Sequence, residues 1–142
     1  MLSSESRRTA GIILIVLPTV IYGGVSLLAL LVGKTPGYFD NPMRQNLFRA
    51  GHAHAGVLLV LSLVVLHYVD DARLSTGWKR FACSSTPLSA ILLPAGFFLS
   101  ILSPTATAPS ALIYLCIAGA VLLAFGLVVL GIGLLRAPTG NS

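Results

Sequence analysis

The sequence predicts an all-α membrane protein: a four-transmembrane-helix bundle forming one domain, with both termini on the cytoplasmic side. Of its 142 residues, 56% are hydrophobic and only 9% charged, a balance foreign to soluble domains of this size. From Phe81 to Leu135 there is no Asp, Glu, Lys or Arg, a stretch far longer than the roughly 20 residues of one crossing. Basic residues also fall unevenly about the apolar runs. Arg7, Arg8, Arg73, Lys79, Arg80 and Arg136 belong to one side, and Lys34, Arg44 and Arg49 to the other. Because positive loops resist translocation, the richer side is expected to be cytoplasmic.

The first span is expected from Gly11 to about Val32. Arg7-Arg8 ahead of an apolar stretch also describes a secretory signal, but the stretch is too long and no small-x-small cleavage site follows, so it reads as a retained anchor. Pro18 and the run Tyr22-Gly23-Gly24-Val25-Ser26 predict a kinked helix with a small-residue face for close packing. An outer loop follows, in which Asn41 and Pro42 make a good N-cap and first-turn pair. The second helix should therefore start outside the bilayer, with its span from Ala50 to Val69.

The third span is expected at about Pro87 to Leu102, bent at Pro94 and Gly96, and the fourth from Ala111 to Leu135. The proline-flanked stretch Ser103-Pro-Thr-Ala-Thr-Ala-Pro-Ser110 turns the chain between them. Gly119 and Gly126, one heptad apart, predict a close-packed seam. Trp78, in the connector before the third span, is placed as an interfacial anchor.

The formal net charge of +5 reads as a topology signal and an attraction to anionic membrane lipid, without the clustered patch that nucleic acid would need. Cys83 and Cys116 belong near opposite ends of neighbouring spans, so a disulfide between them is not expected. No phosphate-cradling glycine loop or hydrolytic signature occurs, and no acid lies within a span, so no catalytic residues are assigned.

The chemistry-bearing stretch is Arg49-Ala-Gly-His-Ala-His-Ala-Gly56. On a helix, His52 and His54 point about 200° apart and cannot chelate one ion from one face, although Gly51 and Gly56 would permit unwinding. Gln45, Arg49, Gly56, Leu63 and His67 share the His52 side, a polar and small stripe expected to face the bundle interior. Leu47, Leu58, Leu61 and Val65 share the His54 side. An unpaired imidazole in lipid is costly, so another helix, a second subunit or a cofactor must cover His54, and the second span is expected to be central. Both rings lie about 5 to 8 Å below Arg49, close to the outer surface. Tyr114 and Cys116 fall near the same depth. That set of groups suits copper, zinc or haem iron, with Arg49 in support. His67 lies about 22 Å deeper than His52 and is expected to reach Asp71 instead.

The segments LPTVIYGG, NPMRQNLFRAGHAHAGVLLVLSL and LLPAGFFLS resemble those of small, uncharacterised four-span bacterial integral membrane proteins. The pattern R-x-x-H-x-H at Arg49, His52 and His54 is similar to the metal-ligating helix of a haem and copper membrane protein family linked to nitrosative stress, and to histidine-bearing helices of haem-copper oxidase catalytic subunits. Those proteins carry histidines on several helices and this chain does not, so the resemblance implies binding without oxygen or nitric oxide chemistry. Three functions follow as expectations. The first is an auxiliary protein of the bacterial inner membrane that binds haem or a transition metal through His52 and His54, as a homo-oligomer. The second is a structural or assembly subunit of a larger membrane complex, and the third a small oligomeric permease.

Overall fold

In a computed structural model, which describes residues 2–137, the chain forms four helices: α1 (Ser4–Val32), α2 (Pro42–Val69), α3 (Thr76–Ser100) and α4 (Tyr114–Leu135). A single 3-10 turn, Ala111–Ile113, leads into α4. Among the described residues there are no strands, and all four helices are long and apolar enough to cross a membrane. The helix starts follow their caps. Ser3 accepts the Ser6 N–H at 3.1 Å, and Asn41 accepts the Arg44 N–H at 3.0 Å with Pro42 just inside the helix, which satisfies donors that a helix start leaves open.

The third helix departs from expectation by starting at Thr76 and running through both Pro87 and Pro94. A span confined to 87–102 would measure about 24 Å, short of a hydrocarbon core of about 30 Å. Starting at Thr76 supplies the missing turns.

The loops joining α1 to α2 and α3 to α4 meet at one end of the bundle, called here the loop end. The side-chain amide of Asn41 donates to the carbonyls of Pro104 and Ala106 at 3.3 and 3.0 Å. Arg44 donates from one guanidinium nitrogen to the Gly37 carbonyl and from the other to the Leu102 carbonyl, each at 3.0 Å, and lies over Phe48. Gly37 has φ of 72°, a left-handed conformation, and Pro104 fills the space where a Cβ would stand. Only glycine satisfies both constraints.

At the other, terminal end, the start of α1 meets the α2–α3 connector and the close of α4. The Ser3 N–H donates to Asp70 Oδ2 at 2.8 Å, Lys79 Nζ donates to the Asp70 carbonyl at 2.7 Å, and the Arg73 N–H donates to the Gly133 carbonyl at 2.9 Å. Trp78 stands edge-on to Phe81 and Phe125, joining the start of α3 to α4.

The Ser3 N–H bond holds the Asp70 carboxyl below the usual carboxylate range; partial burial works against it, and the Ser6 and Ser3 hydroxyls and Lys79 add to the lowering. A carboxylate lowered in the folded state stabilises the fold above its unfolded pKa, and that contribution is lost as pH falls through the folded value. In an acid titration followed by circular dichroism, Asp70→Asn is therefore expected to be less stable at neutral pH by under about 1 kcal/mol. The difference from wild type should begin to shrink as pH falls below about 4 and vanish only below the lowered folded value; a constant difference at every pH would rule out this role for the ionised carboxylate.

Packing keeps α2 central, as expected, between α1 and α3 with a smaller contact on α4; the other inner position belongs to α3. The third helix lies against α2 on one side and α4 on the other, whereas α1 packs extensively only on α2. The reason is in the side chains of α3: Ala82, Ser85, Thr86, Ser89, Ala90 and Gly96 are all buried, and small residues let neighbouring backbones approach. Across the α3–α4 seam, Gly119 and Gly126 face Leu93 and Ser85, and one heptad on Gly133 meets Leu74 of the connector ahead of α3. The predicted heptad seam is thus present and one repeat longer. The single Ser89 hydroxyl proton is shared between the Gly119 carbonyl across the seam, at 2.9 Å, and the Ser85 carbonyl of its own helix, at 2.7 Å.

Two apolar clusters form the core, one around Val65, Val69, Ala72, Ala82 and Leu130, the other around Leu58, Ala90 and Leu93. The hydroxyls of Ser62, Ser85, Thr86 and Ser89, all fully buried, fall between them in sequence on α2 and α3. Ser62 and Ser85 turn back to carbonyls of their own helices, while Thr86 Oγ1 has no partner among the described residues.

Candidate functional site

The histidine stretch lies in unbroken helix, so Gly51 and Gly56 do not unwind α2. Phe97 and Phe98 crowd the space beside Gly51, and Val20 the space beside Gly56. These glycines admit neighbouring helices rather than a bend. The two imidazoles therefore take different sides, as the helical period requires.

His52 is half-buried and faces α1, where Gly23 and Gly24 make room for it. A Cβ at Gly24 would stand 3.0 Å from His52 Nε2 and 3.1 Å from Cε1, so any side chain there would press on the ring. Beside it an open groove of about 400 Å³ runs along α2, lined by Val20, His52, Ala53, Gly56, Val57 and Val60. His52 is the one polar side chain in that lining.

His54 is exposed and turned towards α3, its ring 5.1 Å from that of Phe97. Its Nδ1 is 2.7 Å from the Ala50 carbonyl. A carbonyl only accepts, so it is Nδ1–H that donates in this contact, and Nε2 is the ring nitrogen left without a partner in the helix.

The expected interior face of α2 requires correction. The side shared with His54 supplies the core residues Leu58 and Val65, while the His52 side faces α1 and the groove. In a bilayer an apolar side chain is equally suited to lipid or to a neighbouring helix, so polarity was a poor guide to the inward direction.

The supporting residues are not drawn into a common site. Cys116 Sγ is directed at the Leu93 carbonyl, 3.4 Å away, and sits in the notch left by Gly96, which makes it a packing group of the α3–α4 seam. Tyr114 is 67% exposed, and Arg49 is also exposed. His67 packs edge-on against Tyr68, with ring centroids 5.0 Å apart, and the neighbouring acid engaged by another helix is Asp70 rather than Asp71. Among the described residues, no three of His, Cys, Asp and Glu come together to hold a metal ion.

Sequence reasoning overlooked Arg44. A signal was present: Arg44 lies in the first turn of α2, where the helix dipole disfavours a cation, so its presence there calls for a local reason. The carbonyls of Gly37 and Leu102 supply one. In comparisons with known proteins, the chain matches no protein-family model, no curated protein and no solved structure.

Proposed function

We propose that this protein is an auxiliary, non-catalytic protein of the bacterial inner membrane, N-in and C-in, that binds haem or a transition metal near the outer face through the His52–His54 stretch. The observation that carries the proposal is His52 as the lone polar side chain in an apolar groove beside a Gly-Gly step. Val20, Val57 and Val60 would give a bound haem or metal complex an apolar wall, and His52 would supply an imidazole nitrogen as a ligand. His54 contributes a ring fixed by a backbone carbonyl, the arrangement that commonly orients the free nitrogen of a ligating histidine. Since the rings lie on opposite sides of α2, each can give one ligand, and a second subunit of a homo-oligomer completes the coordination.

A second reading has its own support. His54 satisfies its Nδ1 within α2 and packs its ring on Phe97 of α3, which also suits a packing group in a structural or assembly subunit of a larger membrane complex.

An optical spectrum and metal analysis of detergent-purified protein, supplied with haem, copper or zinc, separate the two readings. A Soret band or stoichiometric metal is expected in the wild type. His52→Ala should weaken binding at least about tenfold, with a smaller loss in His54→Ala. A colourless, metal-free wild type with its helices intact would remove the ligand-binding reading and leave the structural one.

A further inference from the structure

We propose that the cleft between α1 and α3 at the terminal end binds one phospholipid whose head group carries both a phosphate and a primary ammonium, as phosphatidylethanolamine does. The site is separate from the histidine stretch and does not depend on its role. It exists because α1 packs extensively on α2 alone, which leaves a gap between α1 and α3 with α2 at its back. Two hollows of about 390 and 360 Å³ occupy this gap and share Glu5, Ser6, Arg80 and Cys83 in their walls. They adjoin across these four residues and are treated together as one cleft.

Its lining changes character with depth. At the mouth stand Glu5, Asp70, Lys79 and Arg80, while the inner part is walled by Leu66, Pro87 and Leu88 with the hydroxyl of Thr9. Charged groups at the helix ends grading into an apolar channel between helices match the layout of a lipid, head group outward and acyl chain inward.

Charge selects the head group. The mouth carries two carboxylates and two cations, so it complements a zwitterion better than a net anion. Arg80 and Glu5 are only loosely paired, at 4.0 Å, with side chains 69% and 73% exposed, and an exposed pair of this kind is weakly held and exchanges partners readily. Lys79 rests on the Asp70 carbonyl rather than on a carboxylate, so its charge also remains available. Asp70 Oδ2 is already engaged by the Ser3 N–H, so the loosely paired Glu5 is the more available carboxylate to accept N–H bonds from the ammonium, while Arg80 takes the phosphate through paired donors.

Native mass spectrometry of the full chain in detergent, with ethanolamine, choline and glycerol phospholipids of identical acyl chains, tests the proposal. Wild type is expected to retain one ethanolamine lipid about fivefold more tightly than either of the others. The choline head group has the same charges but no N–H donor, so its weaker binding reads the Glu5 contact directly. Glu5→Gln should bring the ethanolamine lipid down to the choline level, and Arg80→Gln should weaken all three. Equal retention of choline and ethanolamine lipids by wild type overturns the proposal, as does tighter binding of the glycerol lipid. A preference for ethanolamine that survives Glu5→Gln in a variant with native helix content does the same.

Discussion

Gly126→Ala will destabilise the helical bundle by about 2 to 3 kcal/mol, and Gly126→Leu will prevent α3 and α4 from docking at all. A Cβ at Gly126 falls on Ser85 Oγ, with Ser85 Cβ close behind. Ser85 cannot simply turn away, because it is fully buried and its hydroxyl is bonded to the Ala82 carbonyl at 3.0 Å. The helices would have to separate, and with them the contacts of Gly119 with Leu93 and of Gly133 with Leu74 on the same seam. Gly131 is the control: nothing lies within 4 Å of a Cβ placed there, and alanine is the better helix former by up to about 1 kcal/mol. Denaturant unfolding in detergent, followed by circular dichroism, should rank Gly131→Ala at or above wild type and Gly126→Ala well below it. Equal stability of the two variants would mean that the seam is not tightly packed.

Arg44→Ala will loosen the loop end and cost about 3 kcal/mol, since two hydrogen bonds from a charged donor are each worth about 1.5 to 3 kcal/mol. The guanidinium joins the Gly37 carbonyl of one loop to the Leu102 carbonyl at the end of α3. One side chain thereby ties the α1–α2 connection to the α3–α4 connection. Its stacking on Phe48, 4.9 Å from the ring centroid, adds a cation–π contribution that alanine also removes. Lysine cannot reproduce the fork, so Arg44→Lys should recover less than half of the loss. The buried Nε, which has no partner among the described residues, reduces the gain from the arginine without cancelling it. Thermal unfolding reads the energy, and limited proteolysis reads the location. Cleavage within residues 33–41 and 102–110 should speed up in Arg44→Ala while the helices stay resistant; unchanged cleavage there would argue that Asn41, through its bonds to Pro104 and Ala106, holds the loops unaided.

Much of the architecture was legible because it depends on local chemistry. The Asn41–Pro42 start of α2 follows from a side chain that can cap and a residue without an N–H, and the structure places both as that chemistry requires. The opposed directions of His52 and His54 follow from the helical period alone. The Gly119–Gly126 seam was readable because glycine repeated at seven residues among leucines and valines has little use except close approach. The start of α3 was harder. Pro87 looked like a boundary, although a proline inside a long helix flanked by packing partners need only give up one backbone bond.

The candidate site was less readable. Cys116 shares a depth with the histidines on paper, but its sulfur is committed to the Leu93 carbonyl by the notch at Gly96. Depth along a helix can be counted from sequence, whereas direction around the bundle depends on which neighbour lies where. The same limit applies to Glu5, Asp70 and Arg80, which are far apart in the chain and meet at one cleft only because α1 returns to the connector after α2.

The sequence by itself determined the number of helices and the Asn41–Pro42 start of α2, and it set the two imidazoles on different sides of that helix, because propensity, capping and periodicity act within a few residues. The tertiary structure alone decided that α3 shares the inner position with α2, that the Leu58 and Val65 side of α2 supplies the core, and that Arg44 joins the two connections at the loop end. Those outcomes turn on pairing between distant segments, and in chains this apolar the hydrophobic pattern carries little information about which face meets a neighbour, since lipid and protein offer a leucine nearly the same environment.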